Sequence, residues 1–142
     1  MKGMLSKPCA VAAVVLAIGL APVGAAAADL DGSKNLVCAS NSVVACIDGS
    51  VCVQGESRTF DLPAFMFVDF KGKVVHARTE GDVRKVESPI RNLGKSNTQL
   101  ILQGVENGHG WGMAIGQTDG RMTTTITGET GSFIIFGACT AL

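Results

Sequence analysis

From residue 35 onward the chain alternates short apolar runs with clusters of Gly, Asn, Asp and Ser, and no run is long enough to show a helical period. Runs at 36–39, 43–47 and 51–53 are rich in β-branched residues and Cys, and Ser40-Asn41-Ser42 and Asp48-Gly49-Ser50 separate them. That punctuation predicts short strands joined by turns. Residues 64–70 form an apolar run broken only by Asp69, and Lys71-Gly72-Lys73 turns it into 74–79, a hairpin pattern. Within this run Asp69 shares a strand face with Phe65 and Phe67, where an unpaired carboxylate is costly, so it is expected to reach solvent or a lysine of the following turn. Glu80-Gly81-Asp82 predicts another turn before 83–86. Pro89 predicts an edge or a strand start, because Pro cannot donate to a ladder.

Residues 99–127 read as three strands and two turns: 100–102 and 111–115 flank Glu106-Asn107-Gly108-His109-Gly110, and Thr118-Asp119-Gly120 leads into 121–127. In that last run Met122, Thr124 and Ile126 share one face while Thr123, Thr125 and Thr127 share the other, which predicts one dry side and one wet side. Residues 132–139 make the most hydrophobic strand, ending at Cys139. Eight to ten strand candidates at this spacing predict an all-β fold, an antiparallel meander closing into a small barrel or a two-layer sandwich. Closure into a barrel would remove the edges that invite aggregation.

The first 28 residues break the pattern. Lys2 and Lys7 precede an apolar run, and Ala26-Ala27-Ala28 precedes Asp29, the layout of a secretory signal peptide. The run is short for a bilayer core, which needs about 20 apolar residues, so no membrane span is expected after cleavage. Cys9 lies before the apolar run rather than at its end, which argues against a lipid anchor. The expected organisation is a signal peptide at 1–28, a mobile polar mature N-terminus at 29–34 and a single β domain at 35–142. The expected location is the periplasm or the extracellular space.

After residue 28 the chain carries ten basic and 12 acidic residues, interspersed, a formal charge of minus two. No basic patch with interleaved aromatics exists, which disfavours nucleic acid. Four Cys remain there: Cys38, Cys46, Cys52 and Cys139. An even count in an exported chain predicts two disulfides. A hairpin turn at Asp48-Gly49-Ser50 sets Cys46 opposite Cys52, leaving Cys38 to join Cys139, while Cys38–Cys46 with Cys52–Cys139 is the alternative. Zinc competes weakly, since no Cys-x-x-Cys pair is present.

The motifs of serine hydrolases, zinc proteases and nucleotide-binding loops are absent, and so is Tyr. With only His76 and His109, histidine chemistry has little support, and no metal or cofactor is expected. One cluster stands out as a candidate binding loop: Glu106, Asn107, His109 and Trp111 place an acid, an amide, an imidazole and an indole within six residues. Loops on a rigid scaffold carry binding residues, and Trp stacks on sugars or anchors partners. The competing reading, favoured by the usual burial of Trp, is that Asn-Gly-His-Gly turns the chain and Trp111 packs inward.

The part of the chain from Leu100-Ile-Leu-Gln-Gly-Val-Glu-Asn-Gly to Phe136-Gly-Ala-Cys139 resembles small uncharacterised exported proteins of Gram-negative bacteria. In plan, the exported meander with its Cys-bearing last strand is also similar to the periplasmic lysozyme-inhibitor type of small β-barrel. Those inhibitors carry a Ser-Gly-x-x-Tyr motif, and this chain has neither a Ser-Gly pair nor a Tyr. The resemblance therefore implies architecture, not activity. The expected function is a non-enzymatic binding or interaction module of the cell envelope, contacting a protein, a glycan or a small ligand. The alternatives are a hydrolase of envelope polysaccharide working through two carboxylates, with Glu106 or His109 near the cleft, or a lysozyme-inhibitor-like protein.

Overall fold

The computed structural model describes residues 29–78 and 85–142; the expected signal peptide, Cys9 and the turn at 80–82 lie outside them. In chain order the elements are β1 (Leu36–Ile47), β2 (Val51–Gly55), a 3-10 turn (Ser57–Phe60), β3 (Phe65–Asp69), β4 (Val74–Arg78), β5 (Lys85–Lys95), β6 (Gln99–Glu106), β7 (His109–Gly116), β8 (Arg121–Gly128) and β9 (Gly131–Ala141). From β3 to β9 each strand pairs antiparallel with the next, and β1 pairs with both β3 and β9. The meander thus closes into an eight-strand antiparallel barrel, with β2 attached outside the ring. The barrel is the arrangement of the two expected.

β1 is one strand, not the two that Ser40-Asn41-Ser42 suggests. Those residues form a bulge: the register with β9 shifts between Ser40 and Ser42 while pairing continues from Leu36 to Ile47. An extra residue bends a strand without ending it. Below the bulge, Leu36 to Ala39 pair with β3; above it, Val43 to Ile47 pair with β2. β1 is therefore a fork, and the 3-10 turn fills the gap between its two partners.

Pro89 likewise sits inside a strand rather than at an edge or a start. β5 pairs with β4 through Lys85–Pro89 and with β6 from Ile90 onward, with a second register shift between Ile90 and Asn92. Pro89 occupies the hand-over between the two ladders, where a missing N–H is tolerated.

Alternation decides the inside. Leu36, Cys38, Val43, Val68, Leu100, Leu102, Met113, Ile115, Met122 and Ile135 are buried essentially completely. An eight-strand barrel is just wide enough for side chains to fill it, so these residues form a packed core rather than a lined cavity. On β8 the dry face runs as expected through Met122 and Thr124. Thr124 Oγ1 is buried there without a hydrogen-bond partner. On β3, by contrast, Met66 and Val68 point inward, and Phe65 and Phe67 stay 62% and 43% exposed. Asp69 follows the phenylalanines to the outside, where its Oδ1 accepts the Gly72 N–H at 2.8 Å; the turn backbone satisfies the carboxylate.

Residues from outside the strands pack against both ends of the core. At the end holding Leu36 and the C-terminus, Leu30 is 4% exposed, and the Asn35 side chain accepts the Phe70 N–H at 3.2 Å. Lys95 Nζ reaches Asp31 Oδ2 at 3.3 Å. The Ser33 hydroxyl and amide, and then Lys95, hold the Asp31 carboxyl down to about 2, so this clasp stays ionised in all but strong acid. At the opposite end, Phe60 and Leu62 pack against the core, with the Phe60 and Phe133 rings 6.2 Å apart.

Two disulfides staple the fold: Cys38–Cys139 joins β1 to β9 inside the barrel, and Cys46–Cys52 ties the β1–β2 hairpin. Both follow the first of the two expected pairings. They close sequence separations of 101 and 6 residues. Loop entropy assigns about 4–5 kcal/mol to the long closure and about 2 kcal/mol to the short one. Replacing Cys38 and Cys139 together by Ala should therefore lower the urea unfolding free energy about twice as much as replacing Cys46 and Cys52. Equal losses in the two double variants would contradict that assignment.

Candidate functional site

β6 and β7 extend to Glu106 and His109, which face each other across the ladder, so the connection is only Asn107-Gly108. Both turn residues have positive φ, 48° and 80°. That is the two-residue Asn-Gly hairpin turn whose twist matches the flanking strands. The expected five-residue loop is thus mostly strand, held in a tight hairpin. His109 Nδ1 lies 3.1 Å from the Asn107 carbonyl, a contact that requires Nδ1 to carry the hydrogen. The imidazole lies against Gly128, where an added Cβ would meet its Cδ2 at 2.5 Å. Glu106 is half-buried, and Asn107 and His109 are exposed.

Trp111 leaves this group. It packs against the core inside the barrel, and its Nε1–H donates to Ser88 Oγ on β5 at 2.7 Å. Its cross-strand neighbour is Gly104, where a Cβ would come within 2.4 Å of the indole. Gly104 is a close-approach glycine: its missing side chain is the space the ring occupies. Glu106, Asn107 and His109 therefore mark the rim of the barrel, and Trp111 is a wall beneath it.

Outside the barrel, beside this hairpin, lies a furrow of about 440 Å³ lined by Arg91, Asn92, Gln103, Val105, Thr125 and Thr127, with Gly110 and Gly112 as its floor and Gly104 and Trp111 also bordering it. Neither floor glycine has positive φ. No heavy atom lies within 4 Å of a Cβ added at Gly110, and the nearest to one at Gly112 is Thr125 Oγ1 at 3.6 Å. Folding therefore does not require glycine at either position. Strand alternation alone could have located this floor, since Gly110, Gly112, Ala114 and Gly116 recur at every second residue of β7. A second concavity, about 320 Å³, opens at the fork of β1 and is lined by Ser40, Asn41, Glu56, Ser57, Arg58 and Asp61. The buried Ser57 hydroxyl is hydrogen-bonded to that of Ser40. Only the polar triplet inside an apolar run hinted at it.

His76 faces outward on β4 opposite Phe67 and Glu87, with its Nδ1 3.4 Å from Glu87 Oε1. That spacing is an ion-pair approach without hydrogen-bond alignment, which is why the same nitrogen has no hydrogen-bond partner. Among the described residues, no three His, Cys, Asp or Glu side chains gather into a metal-binding group. Among them, too, no helix is long and apolar enough to cross a membrane. Comparison with family models, with curated proteins and with solved structures finds no match.

The roles of the glycines separate in a stability experiment. Gly104→Ala collides with the indole and should cost about 2–3 kcal/mol, with a shifted Trp111 fluorescence maximum. Gly112→Ala should be neutral or stabilise by up to about 1 kcal/mol in the same urea titration, because open strand glycines are entropically unfavourable. Equal destabilisation by both substitutions would refute this division.

Proposed function

We propose that this chain acts outside the cytoplasm as a non-enzymatic binding module of the cell envelope and takes an extended glycan along the outer furrow over β7. The observation that carries the reading is the contrast between inside and outside. The barrel interior is filled by side chains, whereas the larger of the two concavities described above lies on the outer face of β5 to β8. A ligand held within the lumen would have to displace the core.

The furrow walls favour a hydroxyl-rich ligand. Asn92, Gln103, Thr125 and Thr127 are neutral donors and acceptors, and Arg91 adds one cation with no lining carboxylate beside it. Backbone at Gly110 and Gly112 lets a flat chain approach closely. Export is supported by the leader-like first 28 residues and by two disulfides, which persist in oxidising compartments.

The test is a glycan array displaying neutral and acidic bacterial surface polysaccharide fragments. The wild-type protein should retain at least one class, and Gly112→Trp, whose indole would occupy the furrow, should lose it with the melting temperature kept. No retained glycan, or retention indifferent to Gly112→Trp, contradicts the reading. Cleavage of a retained glycan that Glu106→Gln abolishes would make the protein a hydrolase instead.

A further inference from the structure

Closing the barrel leaves one strand with a whole edge open: β2 pairs with β1 and with no other described strand. The pairing geometry identifies which backbone groups that edge presents. Cys46 and Cys52 face each other with a Cα–Cα distance of 4.1 Å, the short spacing of a non-hydrogen-bonded antiparallel pair. In such a pair the N–H and C=O groups of both residues point away from each other. By alternation, Val44 and Gln54 form the next such pair. The free edge of β2 therefore presents the N–H and C=O of Cys52 and of Gln54, four backbone groups that an extended chain can satisfy.

Though only five residues long, the strand lacks the protections of charge, proline and bulge; β2 reads Val-Cys-Val-Gln-Gly. Val51 and Val53 are 62% and 48% exposed. They share a face with Ile47 and form an apolar stripe that runs past the core. The Cys46–Cys52 disulfide holds the strand extended in advance, which lowers the ordering cost of pairing.

We propose that β2 is a dimerisation edge that pairs antiparallel with β2 of a second copy about a two-fold axis at Val53. In that register Cys52 lies opposite Gln54 of the second copy, and the reverse. Each of these two pairs exchanges both backbone hydrogen bonds, so all four exposed groups on each edge are used. Val53 meets Val53 as a close non-hydrogen-bonded pair at the axis, and Val51 lies opposite Gly55. The strand suits self-pairing, since it carries no charge and sets no like charges against each other across the axis. The interface is isologous and closes at two copies, which removes the open edge rather than propagating it.

Sedimentation equilibrium of the purified full chain across roughly 1 to 500 μM tests the proposal. The expected result is a monomer–dimer equilibrium that Gln54→Pro shifts at least tenfold towards monomer. That substitution deletes an edge-facing N–H and leaves the ladder to β1 intact, since the N–H of Gln54 points away from it. Val53→Lys, which sets two charges against each other at the axis, should act in the same direction, and Gln54→Ala should leave the equilibrium unchanged. Near-wild-type melting temperatures and a retained Cys46–Cys52 disulfide establish that the variants are folded; if Gln54→Pro fails that check, Val53→Lys decides. A protein monomeric throughout the range, or a dimer indifferent to the folded edge variants, overturns the proposal. A wild-type monomer that binds only an added strand peptide of another sequence overturns it as well.

Discussion

The pairing of β1 with β9 along the full length of both strands is the interaction on which the rest of the molecule depends. Every other ladder in the ring joins neighbours in sequence or strands a short distance apart, and each closes a small loop. β1 and β9 bring the two ends of the domain together, the contact with the largest chain-entropy cost. The Cys38–Cys139 disulfide lies within this seam and restricts the unfolded chain at that same place. Without the seam, the meander is an open sheet with two exposed edges and a half-solvated apolar face.

Closure decides where chemistry can occur. Eight strands enclose only enough room for the side chains of Leu102, Met113, Ile115 and their neighbours, so the interior serves stability. Strand alternation puts Phe65 and Phe67 outside and Met66 and Val68 inside. Function is left to the outer surface, where β7 presents backbone in place of side chains, and to the fork of β1, where the strand changes partner. The bulge at Ser40-Asn41-Ser42 makes that fork possible, since it bends β1 away from β3 and towards β2.

Much of this was legible in local pattern. The alternation of Met122, Thr124 and Ile126 located the dry face of β8, and the Asp48-Gly49-Ser50 turn placed Cys46 opposite Cys52. What escaped the pattern was decided by contacts between distant residues. Ser40-Asn41-Ser42 has turn chemistry, but continuous pairing with β9 keeps the chain extended through it. Pro89 is compatible with a strand interior only because β5 changes partner there. The usual burial of Trp already favoured an inward Trp111, but the room for its indole comes from Gly104 across the ladder, a contact no local pattern shows. The outward row of Gly110, Gly112, Ala114 and Gly116 is legible by alternation, but whether packing requires each glycine is not, since a required glycine and a dispensable one look the same in sequence.

Native-state hydrogen exchange on the oxidised protein tests most directly whether the β1–β9 seam governs the fold. The hydrogen-bonded amides between residues 36–47 and 131–141 should exchange only through global unfolding, with free energies at or above those of the β4–β5 and β5–β6 ladders. If the seam amides exchange by a lower-energy local opening while the amides of β5 and β6 remain protected, the barrel opens at its closure, and the seam is not what holds it together.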